Sequence, residues 1–99
     1  MLEITSAQRA KLRGMAMKLQ PTAQLGKNGI TDAFLDMIED QLDSRELVKI
    51  TVLRTVDVQP RQVVDELADI LNAAPVQAVG FKIVLYRPSK REGVKHISI

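Results

Sequence analysis

The chain has 99 residues, of which 45% are hydrophobic and only 3% aromatic, with no cysteine and a formal net charge of +2. This length fits one domain, residues 1–99, with an aliphatic core, and the lack of cysteine excludes disulfides, thiolate metal sites and cysteine nucleophiles. Because we find no signal-peptide pattern and no membrane-spanning apolar run, we expect a cytoplasmic protein that makes no membrane contact. We also expect it to be a monomer.

The modest net charge hides an uneven distribution. Residues 1–31 carry five basic side chains and one acid, residues 32–69 carry four basic side chains and ten acids, and residues 70–99 carry five basic side chains and one acid. These thirds have charges of +4, −6 and +4. A domain folded from such a chain is expected to have one basic face and one acidic face.

The first predicted element is a helix that begins at Thr5, which forms a T-x-x-Q capping box with Gln8. Pro21 is expected to end this helix. Its apolar stripe is predicted from helical spacing as Leu12, Met15, Ala16 and Leu19. Basic residues flank the stripe, with Arg9 and Arg13 on one side and Lys11 and Lys18 on the other. The following segment, "TAQL", predicts a short strand that ends at Gly26.

The second predicted helix begins at the N-cap Thr31, with Asp32 in its first turn. One face is apolar and consists of Ala33, Phe34, Met37, Ile38 and Leu42. The opposite face is acidic and consists of Asp32, Asp36, Glu39, Asp40 and Asp43. The segment "ELVKITVL" then alternates in hydrophobicity, which predicts a strand with Val48, Ile50 and Val52 on one side.

A third helix is predicted from Pro60, with a buried stripe of Val63, Val64, Leu67, Ile70 and Leu71. "VQAVG" and "FKIVLYR" predict two strands joined at Gly80 by a tight hairpin or a bulge. The core therefore spans about residues 5–88. The basic tail, residues 89–99, is expected to be loose, with "HISI" as a candidate edge strand. The order α-β-α-β-α-β-β predicts an α/β (α+β) fold with a mixed four-stranded sheet and helices packed on it.

The segment "QLGKNGIT" carries the first functional signal. Gly26, Lys27, Asn28 and Gly29 form a G-x-x-G turn between a predicted strand and a predicted helix. Glycine lets a ligand approach the backbone, and a helix N-terminus favours anions. The lysine ammonium and the asparagine amide add donors, so a phosphate of a nucleic-acid backbone is a suitable ligand. An ordinary turn is the alternative, because G-x-x-G alone is a weak match; a nucleotide P-loop is excluded by the spacing.

Three segments occur in order with this motif: "LRGMAMKLQPTAQLGKNGIT", "IEDQLDSRELVKITVL" and "VQAVGFKIVLYRPSK". Together they resemble the CRM domain, named for chloroplast RNA splicing and ribosome maturation, and in particular its small bacterial YhbY-like members. The resemblance covers residues 7–90. It implies a fold akin to the C-terminal domain of translation initiation factor 3. It also implies RNA as the partner, and association with ribosomal RNA in precursors of the large subunit.

The resemblance also implies a set of RNA-binding residues. The family's G-x-x-G loop corresponds to Gly26, Lys27, Asn28 and Gly29, and its basic surface to the first helix and the arginine of "LYRP". This correspondence adds Arg9, Arg13, Lys18 and Arg87 as candidates, and the positions of Lys49 in the second strand and Lys90 after the last strand add two more. Solvated helix charges, or charges that blunt a sheet edge, are the alternative interpretation of these six. Relatives often have histidine where Met17 stands and a second basic residue where Thr51 stands, which leaves RNA contacts at those two positions open.

The remaining polar and aromatic residues predict no catalysis. Phe34, Phe81 and Tyr86 are expected to pack in the core, and His96 to be an exposed tail residue. No serine has a recognisable base, and the acidic helix face is expected to be solvated, so we predict a non-enzymatic protein without metal or cofactor. Two hypotheses remain: an RNA-binding factor, or an adaptor that binds a basic protein, such as a ribosomal protein, through its acidic helices.

Overall fold

A computed structural model describes residues 1–54 and 58–99 and confirms the predicted order of elements. The three helices are α1 (Ser6–Ala16), α2 (Asp32–Arg45) and α3 (Pro60–Leu71). The four strands are β1 (Ala23–Leu25), β2 (Leu47–Val52), β3 (Ala74–Val79) and β4 (Lys82–Tyr86). The two additions to the predicted strands are Ala74 and Pro75, which the sequence had assigned to the end of the third helix.

The predicted starts of α1 and α2 are confirmed by their capping hydrogen bonds. The Thr5 N–H donates to Gln8 Oε1 over 2.9 Å, and the Gln8 N–H donates back to Thr5 Oγ1 over 3.1 Å. The Thr31 hydroxyl accepts from the Phe34 N–H, also over 3.1 Å. The end predicted for α1 is wrong, because the helix stops at Ala16 and not at Pro21. These local signals therefore fix where helices begin better than where they end.

The sheet is mixed and has the order β1-β2-β4-β3. β1 and β2 are parallel, whereas β2 pairs with β4, and β4 with β3, in antiparallel orientation. A two-residue loop, Gly80 and Phe81, joins β3 to β4, and Gly80 has a φ of +58°. Positive φ at the first loop position is what a type II′ hairpin turn requires, and glycine adopts it without strain.

Both faces of the sheet are covered. The larger hydrophobic cluster lies between the sheet and the helices α2 and α3, and it includes Val48, Ile50 and Val52, as their alternation predicted. The smaller cluster lies on the other face, where α1 contributes Leu12 and Ala16. Ile97 and Ile99 of the tail pack against this second cluster, so the expectation of a loose tail is wrong. Among the described residues the segment "HISI" forms no strand.

The apolar stripes predicted for the helices include residues that are exposed in the structure. Met15, Leu19, Met37 and Ile70 are exposed, and so is Ala33. Ile70 is 50% exposed, although it was predicted to be buried. Ala68, which was not in the predicted stripe, is fully buried instead. Each short helix touches the sheet along a line narrower than its apolar arc, so residues at the margin of the arc remain in contact with water.

Candidate nucleic-acid interface

The G-x-x-G segment forms a tight turn between β1 and α2. The Gly29 N–H donates to the Gly26 carbonyl over 3.0 Å and closes the turn. Gly29 has a φ of +71°, in the left-handed region that favours glycine. A Cβ placed on Gly29 would meet no atom within 4 Å, and one on Gly26 would meet only Leu53 Cδ1, at 3.8 Å. The surface of the turn is therefore bare backbone that a ligand can approach.

The backbone N–H groups of the turn differ from those at the start of α2 in their hydrogen bonding. Lys27 and Asn28 are exposed, and their backbone N–H groups donate to no protein group within residues 1–54 and 58–99. At the start of α2, Thr31 already accepts from the Phe34 N–H, and the Asp32 carboxylate sits in the first turn. We expected the N-terminus of α2 to contribute to anion binding, but its charge is partly compensated from within.

Two further loops meet the glycine turn at the same end of the sheet. The Leu53 N–H donates to the Leu25 carbonyl over 3.0 Å, and the Val52 N–H donates to the Phe81 carbonyl over 2.7 Å. Exposed residues from three chain segments therefore lie at this end. We call it the glycine end and define it as Gly26–Gly29, Arg54, Phe81 and Lys82.

Arg54, Phe81 and Lys82 were not among the predicted site residues. Phe81 was expected to pack in the core, but it is 39% exposed, whereas Phe34 and Tyr86 are buried as predicted. The hairpin predicted at Gly80 was a signal for this exposure, because a residue next to the turn glycine belongs to the loop and not to the strand.

The basic residues of α1 lie on the two flanks that the sequence predicted. Arg9 and Arg13, together with Arg61 of α3, line a groove of about 440 Å³ along β3 from Pro75 to Val79. Arg9 is tied to this groove because its Nε donates to the Pro75 carbonyl over 3.3 Å. Val79 pairs with Lys82. The groove therefore extends to the glycine end.

The other flank of α1 is more open. Lys11 and Lys18 are exposed and line a shallow depression with Gly14 and Met15. Met17, where relatives often have histidine, is exposed, whereas Thr51 is half-buried.

Lys49 requires a correction. Its Nζ donates to the carbonyls of Ala16 and Leu19, over 3.3 and 3.4 Å, and so holds the C-terminal end of α1 on the sheet. A cation there also complements the negative end of the helix dipole. The Lys49 ammonium thus has a structural partner on α1, which argues against its assignment as an RNA ligand.

Arg87 also requires a correction, because it is buried and only 3% exposed. Its guanidinium donates to Glu39 Oε1 over 3.0 Å, to Asp43 Oδ1 over 2.9 Å and to the Leu71 carbonyl over 3.0 Å. This burial argues against the prediction that Arg87 contacts phosphate, since two carboxylates of α2 and a carbonyl already bind its guanidinium. Lys90 remains exposed, with a long contact of 3.5 Å from its Nζ to Glu39 Oε1.

The carboxylates around Arg87 are shifted accordingly. The hydrogen bond from Arg87 is the main reason why the pKa of Glu39 is lowered. For Asp43, burial raises the pKa, but hydrogen bonds from the Lys90 N–H and from Arg87 outweigh it and leave the pKa lowered. Part of the acidic face of α2 is therefore used inside the molecule and is not the fully solvated surface that we expected.

Glu46 fastens the tail next to this cluster. It is 1% exposed, and its carboxylate accepts from the Ser89 N–H over 2.5 Å and the Ile97 N–H over 2.6 Å. His96 Nδ1 lies 2.5 Å from Glu46 Oε2, so the histidine, although exposed, has a carboxylate partner that the sequence did not reveal. Burial raises the pKa of Glu46, but these hydrogen bonds outweigh it and the pKa is lowered. We call Glu39, Asp43, Glu46, Arg87 and Ser89 the arginine end.

The described residues offer neither a metal-binding cluster nor a membrane-spanning helix. Across residues 1–54 and 58–99, no group of three or more histidine, aspartate or glutamate side chains is arranged to hold a metal ion. In the same ranges, no helix has the length and apolarity needed to cross a membrane.

Comparisons with known proteins agree with the resemblance. Residues 4–87 match the model of the CRS1 / YhbY (CRM) domain. A Haemophilus influenzae protein named "RNA-binding protein" is 33% identical over 95 residues, which is 96% of each chain. The "Probable RNA-binding protein YqeI" of Bacillus subtilis is 36% identical over 88% of this chain and 91% of its own. The solution structure of a Staphylococcus aureus protein superposes with a TM-score of 0.77 at 31% identity, covering 96% of this chain and 100% of that one.

Proposed function

Because the chain belongs to the CRS1/YhbY (CRM) domain family, we propose that it is a non-enzymatic RNA-binding protein that grips backbone phosphate with the Gly26–Gly29 turn. We propose further that its RNA is ribosomal RNA in precursors of the large subunit and that it works in the cytoplasm as a monomer. The observation that carries the proposal is a bare glycine turn with exposed Lys27 and Asn28, in a chain whose relatives are named for RNA binding.

The chemistry of the turn suits a phosphate. The free N–H groups of Lys27 and Asn28 are donors that need no rearrangement, and the Lys27 ammonium adds a charge that neutralises one phosphate. Two glycines leave room for phosphate oxygens to approach the backbone. The KH domain clamps nucleotide backbone with a G-x-x-G loop in the same way.

The wider contact would come from basic residues outside the turn. Lys82 and Arg54 lie at the glycine end, and Arg9 and Arg13 line the groove that leads to it. Lys18, on the other flank of α1, belongs to the same contact, whereas Lys90 is left out because its Nζ lies 3.5 Å from Glu39 Oε1. Arg87 and Lys49 are left out of this surface because their cationic groups have partners inside the fold.

The adaptor hypothesis is the weaker alternative. It needs an acidic surface on the helices, but on α2, the most acidic of them, Glu39 and Asp43 bind Arg87, and Asp40 forms an ion pair with Arg91. Internal pairing lowers the negative potential that a basic partner protein would meet. Asp32 and Asp36 remain exposed on this face, without the strong charge that the sequence indicated.

The test compares Gly29→Asp with Gly93→Asp. Both glycines have positive φ, +71° and +80°, and both have open space where a Cβ would be, so the two variants carry the same strain and the same added charge. We expect Gly29→Asp to weaken binding to protein-free ribosomal RNA by about tenfold, because one phosphate contact is replaced by a repulsion. Gly93→Asp should bind like the wild type. Equal affinities of the two folded variants would refute the turn as a phosphate site.

The ribosomal part of the proposal needs a separate experiment. A lysate is sedimented through a low-salt sucrose gradient, and fractions are probed for the wild type and for Gly29→Asp. We expect the wild type to travel with large-subunit precursors and the variant to stay near the top while still folded. A wild type that remains near the top, yet binds purified RNA, would refute the ribosomal assignment alone.

A further inference from the structure

One aromatic side chain of this chain is presented to solvent. Phe81 is 39% exposed at the tip of the β3–β4 hairpin. It occupies the second position of a two-residue loop, after Gly80, and the Val52 N–H holds its carbonyl over 2.7 Å. A loop this short leaves the backbone little freedom, so the ring is displayed from a stiff support. Phe81 belongs to neither hydrophobic cluster, so its ring is available to a ligand.

The ring has a partner that also suits flat ligands. The Arg54 guanidinium lies over it, with Cζ 5.1 Å from the ring centroid, which is a cation–π contact. Arg54 is itself exposed. Aromatic rings and guanidinium planes are the two kinds of side-chain surface on which proteins stack unpaired RNA bases.

The pair lies beside the glycine turn. Leu53, which precedes Arg54, donates its N–H to the carbonyl of Leu25, which precedes Gly26, over 3.0 Å. Lys27 and Lys82 add two exposed cations at the same end. Phosphate donors next to a stacking surface form the combination that single-stranded nucleic acid requires, because its backbone and its bases are both accessible.

We propose that Phe81 and Arg54 form a stacking site for an unpaired base of single-stranded RNA whose backbone is held by the glycine turn. This inference rests on the proposed RNA-binding function and adds to it the class of RNA. A duplex keeps its bases stacked on one another, so the site selects single strands, loops and ends. Every base has a π-face, so the site accepts any sequence.

The first experiment uses the fact that the chain contains no tryptophan. In Phe81→Trp the new indole is the sole tryptophan, and stacking on a base quenches its fluorescence. The probes are a short single-stranded oligoribonucleotide and an abasic strand with the same number of phosphates. We expect strong quenching by the first probe and little by the second. The control is Ile70→Trp, at a site on α3 that is 50% exposed, where neither probe should quench.

The second experiment measures affinity for the same two probes. Phe81→Ala should bind the base-bearing strand about tenfold more weakly than the wild type and the abasic strand equally well, whereas Phe81→Tyr should retain both affinities. Circular dichroism checks that each variant is folded. If the wild type binds the base-bearing strand, but Phe81→Ala binds it as tightly, the stacking site is refuted and the phosphate-binding turn stands. A wild type that binds neither strand refutes the proposed function and this inference together.

Discussion

The arginine end and the glycine end lie at the two ends of β2, and they differ in whether their polar groups have partners inside the protein. Before β2, at Glu46, every cation and carboxylate that we have described has a partner: Arg87 binds two carboxylates and a carbonyl, and Glu46 binds two N–H groups and a histidine. After β2, at Leu53 and Arg54, the cations and the turn amides face solvent.

A basic residue type therefore does not by itself indicate a ligand site. Two basic residues lie at the two ends of β4: Lys82 is its first residue, and Arg87 directly follows its last. The first is exposed, whereas the second is buried because the carboxylates of α2 lie opposite it. Whether a basic side chain at a strand end is buried therefore depends on the charge of the element that packs beside it.

The largest effect is expected for Arg87→Met. Removing the guanidinium leaves Asp43 and Glu39 without their cation, and breaking a buried pair costs about 3 kcal/mol or more of the free energy of unfolding. Urea denaturation followed by circular dichroism measures this loss. The control is Arg91→Met, which removes an exposed contact with Asp40 and should cost less than about 1 kcal/mol. Equal losses of unfolding free energy in the two variants would mean that the buried ion pairs of Arg87 do not stabilise the arginine end more than a surface contact does.

The next effect is acid destabilisation from the same end. Glu39, Asp43 and Glu46 have lowered pKa values, so the unfolded chain takes up protons on these groups before the folded chain does. Their stabilisation is therefore present above the ordinary values of 4.5 for glutamate and 3.8 for aspartate, and it is lost as the pH falls through and below them. Urea midpoints measured from neutral to acid pH should show this decline. Glu46→Gln should flatten it, and an unchanged slope would contradict the role of Glu46.

Smaller changes in stability, of opposite sign, are expected when two of the glycines are replaced by alanine. Gly29→Ala should lower the free energy of unfolding by about 1 kcal/mol, because alanine is strained at a φ of +71°. Gly14→Ala should raise it by about 0.5–1 kcal/mol, since Gly14 lies inside α1 with open space around it. Thermal denaturation of both variants tests the opposite signs. Stabilisation by Gly29→Ala would show that the turn does not need its glycine conformation.

The smallest effect concerns the salt dependence of RNA binding. For Lys82→Ala, at the glycine end, the slope of log K against log salt should become shallower by about 0.7, the value for one phosphate contact on a single strand. Lys90→Ala should leave the slope unchanged, because the Lys90 ammonium lies beside Glu39 of the arginine end, far from the glycine end along β4. Affinities at three salt concentrations are sufficient. The comparison between the two ends fails if the two variants behave alike.

The sequence predicted the fold well because its signals were local. The capping box at Thr5, the cap at Thr31, the alternation in β2 and the hairpin at Gly80 each depend on neighbours within a few residues. Those signals, taken in order, led to the mixed four-stranded sheet. The exact edges of the buried stripes were missed because they depend on how each helix lies on the sheet.

The contacts at the two ends of the sheet were predicted less completely, because the partners are far apart in the chain. Arg87 and Asp43 are separated by 44 residues, and Glu46 and Ile97 by 51, so no spacing rule connects them. The same holds for Arg54 and Phe81, which meet only when β2 and the hairpin pair. The glycine turn was found because all its members are consecutive.

The way in which the tail is fastened to Glu46 has a consequence for anyone who wishes to move this domain into another protein. A boundary placed at the last strand would look sensible, yet it would strip the Ser89 and Ile97 N–H groups from a buried carboxylate and uncover the second hydrophobic cluster. The transferable module therefore includes residues 89–99, and a fusion partner at its C-terminus has to leave from the face that α1 and the tail share.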